Sequence, residues 1–115
     1  MPSIKQLAAR ELHAFVASLP DGVQAQLLDV REPWEVQAAA LKLPGATPLH
    51  IPMHELPARL SELDATQPIL ALCHHGARSL QVVAFLLRAG MSDVYNVAGG
   101  IDAWSREVDP LVPQY

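Results

Sequence analysis

Cysteine is almost absent from this sequence, and Cys73 is its single thiol. One cysteine excludes an internal disulfide, so nothing in the sequence indicates an oxidising compartment. Any chemistry of this thiol therefore depends on the residues around it rather than on a second sulfur.

An excess of positive charge is also missing. Lysine and arginine together number 8 against 12 aspartate and glutamate residues, which gives a formal net charge of -4. No cluster of basic residues offsets this balance. The sequence therefore predicts neither a nucleic-acid partner nor binding to an anionic membrane surface.

Long hydrophobic runs are lacking as well. No uninterrupted apolar stretch reaches the length of a membrane-spanning helix, and residues 1–5 do not begin the apolar run of a signal peptide. We therefore expect no membrane partner, no secretory leader and, by default, a cytoplasmic location.

The sequence does contain enough apolar material for a core. Hydrophobic residues make up 50% of the chain and charged residues 17%, a composition that argues against a disordered chain. No linker, repeat or low-complexity stretch divides the sequence. We predict one domain over residues 1–115.

Short strand-like runs alternate with helix-like runs along the chain, which predicts an α/β fold. The predicted strands are residues 26–30, 47–51, 69–72 and 94–97. The predicted helices are residues 12–19, a short helix after Pro33, and residues 53–63, 79–89 and 101–108. This alternation implies a mainly parallel sheet with helices on both faces and a ligand site at the carboxyl ends of its strands.

Cys73 lies at such a strand end and opens a short loop that leads through Arg78 into the next predicted helix. The helix dipole, the loop amides and the guanidinium of Arg78 would together favour a thiolate there. A lone cysteine is more often a small buried hydrophobic residue, but the His-His-Gly-Ala-Arg sequence that follows is not an apolar run. We therefore predict that Cys73 is a nucleophile.

Four segments resemble, in family order, the signatures of the rhodanese family of sulfurtransferases. They are residues 27–35, 44–46, 73–79 and 95–104. Together they span most of the chain. The resemblance implies a rhodanese-like α/β fold with about five strands in a mainly parallel sheet. It also implies an enzyme that carries sulfur as a persulfide on Cys73.

The resemblance further implies a two-step reaction. The thiolate attacks the outer sulfur of a donor such as thiosulfate, sulfite leaves, and a thiol or cyanide acceptor then removes the sulfur. Four residues separate Cys73 from Arg78, which is the spacing of the sulfurtransferases, whereas the related dual-specificity phosphatases have one more. A loop of this size has room for one terminal sulfur atom.

We predict that the rest of the loop binds substrate: His74, His75, Gly76, Ala77, Arg78 and Ser79. A cation in the first turn of a helix opposes the helix dipole, so Arg78 indicates a bound anion, with a surface ion pair as the alternative. The two histidines either contact the substrate or are solvated loop residues.

Asp29 and Arg31 end a predicted strand beside the loop. We expect them to be structural, as an ion pair or a loop brace in which Glu35 is a further partner. Trp34 and Trp104 are interpreted as core or rim aromatic residues.

We predict no metal and no cofactor. Adjacent residues such as Cys73, His74 and His75 do not converge easily on one ion. His50 and His54 have the spacing of a helical metal pair, but Pro52 lies between them. We interpret these two residues as exposed histidines.

Two other functions are compatible with the sequence. A phosphatase or arsenate reductase of related fold is disfavoured by the loop length and by the lack of an acid that would protonate an oxygen leaving group. A sulfur-relay or interaction module would instead pass the Cys73 sulfur to a partner protein, and this possible protein acceptor stays open.

Overall fold

The structure is a computed structural model that describes residues 4–115. The prediction that the first residues form no leader falls mostly on residues 1–3, which lie outside this described part.

Five strands in the described part of the chain form one sheet. They are β1 (Lys5–Ala8), β2 (Ala25–Asp29), β3 (Ala46–His50), β4 (Ile69–Leu72) and β5 (Val94–Ala98). Their order across the sheet is β1-β5-β4-β2-β3, and each of the four neighbouring pairs is parallel. The predicted parallel α/β sheet of about five strands is confirmed, and β4 is its central strand.

Both faces of the central strand are buried, which explains why its sequence is continuously apolar. Leu70 and Leu72 belong to the core on one face of the sheet, whereas Ile69 and Ala71 belong to the core on the other. This alternation follows from the two-residue repeat of a strand. The carboxyl end of β4 is therefore anchored on both sides, and Cys73 follows it directly.

Among residues 4–115, four α-helices cover the sheet: α1 (Leu12–Ala17), α2 (Pro33–Ala38), α3 (Ala77–Arg88) and α4 (Gly100–Glu107). Ile101 and Trp104 of α4 pack into the core that contains Leu70, while Val83 and Leu86 of α3 pack into the core of the opposite face. The expected helices on both faces are confirmed. Within residues 4–115, no helix has the length and apolar character needed to span a bilayer.

Two parts of the predicted element pattern are wrong. The predicted helix over residues 53–63 is a pair of 3₁₀ helices, Met53–Ala58 and Leu60–Glu62, because Pro57 lacks the N–H that a continuing α-helix requires. The structure also contains β1, which no pattern predicted. Lys5 and Gln6 are exposed on this edge strand, so it lacks the apolar signature of a buried strand.

Candidate active site

Cys73 lies at the carboxyl edge of the sheet and is 1% exposed. The chain turns from β4 into α3 through residues 73–76, and Gly76 makes this turn with φ of +105°. A side chain there would be strained by the left-handed backbone, which is why glycine fits the position. The helix begins at Ala77, two residues earlier than the sequence predicted.

Two backbone N–H groups and one hydroxyl oxygen from the loop and the first turn of α3 surround the Cys73 sulfur. Sγ accepts the backbone N–H of Gly76 at 3.1 Å and that of Ser79 at 3.4 Å. The Ser79 hydroxyl oxygen lies 3.3 Å from the same sulfur. Two amides aimed at one atom create a small site for a negative charge on sulfur. Gly76 and Ser79 therefore line this site, whereas Ala77 is exposed; substrate binding by all three residues stays a prediction.

The N-terminus of α4 holds the loop from the other side. The N–H of Ile101 donates to the Cys73 carbonyl at 2.9 Å, and the N–H of Asp102 donates to the His74 carbonyl at 3.0 Å. Gly100 makes this approach possible, because a Cβ at this position would overlap both loop carbonyls. The predicted C-terminal signature thus supports the cysteine loop.

Arg78 forms a two-point ion pair with Glu35 of α2. Its Nη1 and Nη2 donate to the two carboxylate oxygens at 2.6 and 2.7 Å. These bonds lower the pKa of Glu35 to about 2 despite the opposing effect of burial, and they raise the pKa of Arg78. The ion-pair alternative for Arg78 is therefore present, with a buried rather than a surface carboxylate; anion binding by Arg78 stays a prediction.

Tyr115 joins this pair to a buried arginine, Arg31. Its hydroxyl donates to Glu35 at 2.7 Å and accepts from Arg31 Nη1 at 3.0 Å. Burial is the main reason that the pKa of Tyr115 is raised to about 12. Arg31 is fully buried and pairs with Asp29 at 2.7 Å. This is the structural ion pair expected from the sequence, and it braces the strand end beside the loop.

The two loop histidines stack on one another. The His74 ring lies 3.9 Å from the His75 ring and 3.9 Å from the Tyr115 ring, centre to centre. Burial and the neighbouring His75 lower the pKa of His74. His74 therefore carries less positive charge at neutral pH than an ordinary histidine would.

These histidines and Asp102 also have ligand atoms within 4.8 Å of one another, which is a possible metal cluster. The two rings are stacked with their planes inclined by only 25°, so their lone pairs lie in two nearly parallel planes, which is unfavourable for binding one ion. Asp102 is moreover paired with Arg106 at 2.9 Å. The arrangement is poorly suited to a single cation.

The other aromatic and histidine predictions have separate outcomes. Trp104 is a core residue at 2% exposure, whereas Trp34 is 64% exposed. His54 is exposed, as expected, but His50 is half-buried and its Nε2 lies 2.8 Å from the Arg31 carbonyl. The prediction that His50 is exposed is wrong because this contact draws the ring against the chain.

Sequence reasoning missed two polar residues next to the loop, Tyr115 and Asn96. Asn96 is 3% exposed in β5 and accepts a hydrogen bond from Ser79. A polar residue in an otherwise apolar buried strand was a signal that could have identified Asn96. Tyr115 had no such signal, since it lies outside every recognisable motif.

Comparison with known families gives a clear result. A model described as the Rhodanese-like domain matches residues 12–107. The chain belongs to this family. The resemblance derived from the four sequence segments is therefore confirmed.

Relatives match over most of the chain. The Arabidopsis thaliana rhodanese-like/PpiC domain-containing protein 12, chloroplastic, is 38% identical over 97% of this chain, which spans only 38% of that relative. A sulfurtransferase from Allochromatium vinosum is 39% identical, with 82% of this chain and 84% of the relative covered. Thiosulfate sulfurtransferase GlpE from Vibrio cholerae is 32% identical, with 76% and 79% covered.

The fold has a close match among solved structures. A rhodanese-related protein from Thermoplasma volcanium superimposes with a TM-score of 0.75 at 28% identity. The match covers 96% of this chain and 99% of that protein. The rhodanese-like fold therefore extends over nearly all of the sequence.

Proposed function

We propose that this chain is a sulfurtransferase that moves a sulfane sulfur from a donor such as thiosulfate to a thiol or cyanide through a persulfide on Cys73. The observation that carries the proposal is the Cys73 sulfur facing the amides of Gly76 and Ser79. The names of the two bacterial relatives support sulfur transfer, and one of them supports thiosulfate as the donor.

The first half-reaction loads the enzyme. The Cys73 thiolate attacks the outer sulfur of thiosulfate, a new S–S bond forms, and the donor S–S bond breaks with its electron pair leaving on sulfite. One negative charge then rests on the outer sulfur of the persulfide. The amides around Cys73 are the groups that would stabilise this charge.

The second half-reaction unloads it. Cyanide or a thiolate attacks the outer sulfur, and the electron pair of the persulfide bond returns to Cys73 as the thiolate. No proton has to move between substrate and enzyme in either step, so a general base beside Cys73 is unnecessary.

The substrate residues of this proposal are those of the loop. Backbone amides of Gly76 and Ser79 contact the Cys73 sulfur that would carry the transferred atom. His74 and His75 lie in the loop, and Ala77 and Arg78 begin the helix. In this proposal the chain acts as one domain over residues 1–115 and needs no cofactor. A cytoplasmic location stays a prediction.

Intact-mass spectrometry tests the persulfide directly. After incubation with thiosulfate, the protein should gain the mass of one sulfur atom, and cyanide should remove it. Cys73→Ser should show neither the adduct nor thiocyanate formation, and thermal unfolding would check that this variant is folded. Since Cys73 is the only cysteine, no other thiol can carry the adduct. Turnover by folded Cys73→Ser would refute the mechanism.

Parallel assays separate the alternatives. Hydrolysis of an aryl phosphate without sulfur transfer would support the phosphatase of related fold instead. A persulfide that resists cyanide and small thiols but is passed to a protein thiol would support a sulfur relay with a protein acceptor.

A further inference from the structure

A buried hydrogen-bond chain runs from the active-site serine to the edge of the sheet. Asn96 Nδ2 donates to the Gly76 carbonyl at 3.3 Å and to Gln6 Oε1 at 2.9 Å. Because a backbone carbonyl can only accept, the amide atom that faces Gly76 must be the nitrogen. The opposite atom, Oδ1, is therefore the one that faces Ser79.

This orientation decides where the Ser79 proton points. Ser79 Oγ lies 2.5 Å from Asn96 Oδ1, whereas the Gly76 carbonyl and Cys73 Sγ are each 3.3 Å away. A hydroxyl has one proton, and an amide oxygen can only accept. The Ser79 hydroxyl therefore donates its proton to Asn96 Oδ1, and the lone pairs of Ser79 Oγ face the Cys73 sulfur.

Lone pairs at this position affect the forms of Cys73 differently. They accept the S–H of a neutral thiol but repel a thiolate. In the persulfide, Sγ is bonded to the outer sulfur and carries no formal charge, because the negative charge lies on the outer atom. The Ser79 oxygen therefore opposes the unloaded anion and not the loaded enzyme.

We propose that Asn96 is a positioning residue that holds the Ser79 proton away from Cys73 and thereby favours the persulfide over the free thiolate. The inference rests on the proposed function. It adds no step to the reaction, since thiosulfate still supplies the sulfur and sulfite still leaves with the electron pair. It changes only the balance between the loaded and unloaded enzyme.

Other charged and titratable groups lie near the loop and are kept constant in the test. They are Arg78 of α3, Glu35 of α2, Asp102 of α4, Tyr115, and the loop residues His74 and His75. None of them contacts Asn96 among the described hydrogen bonds.

The pH profile of Cys73 alkylation by iodoacetamide tests the orientation of Ser79 without requiring sulfur transfer. In Asn96→Ala the Ser79 proton becomes free to donate to the thiolate, so the midpoint should fall by roughly one pH unit, as expected for a hydrogen bond to a charged group. Asn96→Leu keeps the branched shape of the asparagine side chain and should lower the alkylation midpoint as well. This variant excludes the possibility that the shift in Asn96→Ala comes from the space left by the smaller side chain.

Ser79→Ala gives the sharpest contrast and is a small change that keeps the helix. If Ser79 presents lone pairs to Cys73, removing its hydroxyl lowers the alkylation midpoint. A serine that donates to the thiolate would give a higher midpoint in Ser79→Ala, which would overturn the proposal even if the Asn96 variants failed to fold.

The double variant distinguishes positioning from a general structural effect. Because Asn96 acts through the Ser79 hydroxyl, Asn96→Ala should cause no further midpoint shift in the Ser79→Ala background. A shift of the same size in both backgrounds would show that Asn96 acts by another route.

The loaded fraction tests the consequence for sulfur. At a fixed thiosulfate-to-sulfite ratio and a pH above the midpoint, intact mass should show about tenfold less persulfide relative to free enzyme in Asn96→Ala, matching its midpoint shift. A shifted midpoint with an unchanged loaded fraction would refute the bias toward persulfide. The absence of persulfide in the parent protein would refute the proposed function. The alkylation midpoints would still show whether the Ser79 hydroxyl presents lone pairs to Cys73.

Discussion

Arg78 donates hydrogen bonds to both carboxylate oxygens of Glu35, at 2.6 and 2.7 Å. This pair connects the first turn of α3 to α2, although the two residues are 43 positions apart in sequence. Glu35 is almost fully buried, with 4% of its side chain exposed, whereas 36% of the Arg78 side chain is accessible. The positive charge expected at the loop is therefore largely balanced by a fixed carboxylate. Arg78 therefore stabilises the fold, in addition to any contact that it makes with the sulfur donor.

Arg78→Ala should consequently lower both stability and turnover. If Arg78 only bound an anion, the loss would be mainly in turnover, but removing the arginine also leaves the buried Glu35 without its partner. We expect a loss of about 1–3 kcal/mol in the free energy of unfolding, below that of a fully buried pair because Arg78 is partly solvated. Denaturant unfolding and steady-state kinetics would measure the two effects.

Arg59 offers a matched control for that substitution. It pairs with Glu55 and Glu62, whose side chains are each 45% exposed, so Arg59→Ala should lower the free energy of unfolding much less than Arg78→Ala does. Arg78→Lys should retain charge without the planar two-point fork and lie between the parent and Arg78→Ala. Equal stability losses in Arg78→Ala and Arg59→Ala would contradict the bracing role.

Glu35 should make the folded state sensitive to acid. Its pKa is about 2 in the folded protein, below the ordinary value of 4.5, so the unfolded chain takes up this proton first as the pH falls. The contribution is fully present above pH 4.5 and is lost as the pH falls toward 2. With solvent screening at Arg78, we expect it to reach about 1–2 kcal/mol.

Glu35→Gln tests this dependence. Its free energy of unfolding should vary less between about pH 5 and pH 2 than that of the parent protein. Glu55→Gln removes an exposed carboxylate and is the matched control, which should keep nearly the parental acid slope. Identical slopes for the parent and Glu35→Gln would show that this carboxylate is not the source of acid sensitivity.

The alternation of strands and helices was readable from the sequence because β4 is apolar on both faces and α3 has an apolar stripe. The edge strand β1 could not be predicted in this way, because its exposed Lys5 and Gln6 do not continue an apolar strand pattern. The segment around Pro57 has apolar residues at helical spacing, but Pro57 has no backbone N–H to donate. The segment therefore forms 3₁₀ helices instead of a continuous α-helix. Local patterns therefore revealed the buried elements and failed at the edges.

The candidate site shows the same division. The position of Cys73 between a strand and a helix follows from local sequence, and so does the Asp29–Arg31 pair two residues apart. The contacts of Arg78 with Glu35, of Tyr115 with Glu35 and of Asn96 with Ser79 join residues 17 to 80 positions apart. No periodicity in a single sequence encodes such tertiary pairings.

Gly100→Ala should loosen the cysteine loop. Gly100 has φ of +61°, and an added Cβ would overlap the carbonyls of Cys73 and His74. The N-terminus of α4 would then have to move away from the loop and give up its two amide hydrogen bonds. We expect a loss of about 2–4 kcal/mol in unfolding free energy together with slower persulfide formation.

Gly90→Ala separates backbone strain from the overlap. Gly90 also has a left-handed backbone, with φ of +96°, but nothing lies within 4 Å of its added Cβ. This variant should lose only about 1 kcal/mol and form persulfide at the parental rate. If the two glycine variants behaved alike, the contact between α4 and the loop would not explain the requirement for Gly100.

Donor selection provides a test of the loop histidines. We expect thiosulfate to outperform mercaptopyruvate, because His74, His75 and Arg78 place basic residues in the loop that would favour a dianionic donor. A protonated histidine attracts the thiosulfate dianion, so KM for thiosulfate should rise as the histidines lose their protons with increasing pH. Since the pKa of His74 is lowered from 6.5, its part of this rise should occur below pH 6.5.

The His74→Ala, His75→Ala double variant should have a higher KM at low pH and a flatter KM profile, while kcat retains the pH dependence of the thiolate step. Measuring both constants across pH separates donor binding from chemistry. A flat KM profile in the parent and the double variant alike would remove the histidines from the donor site. Preference for mercaptopyruvate would overturn the donor assignment and leave the Cys73 persulfide mechanism intact, because that mechanism requires only an outer sulfur open to attack and an amide site to receive it.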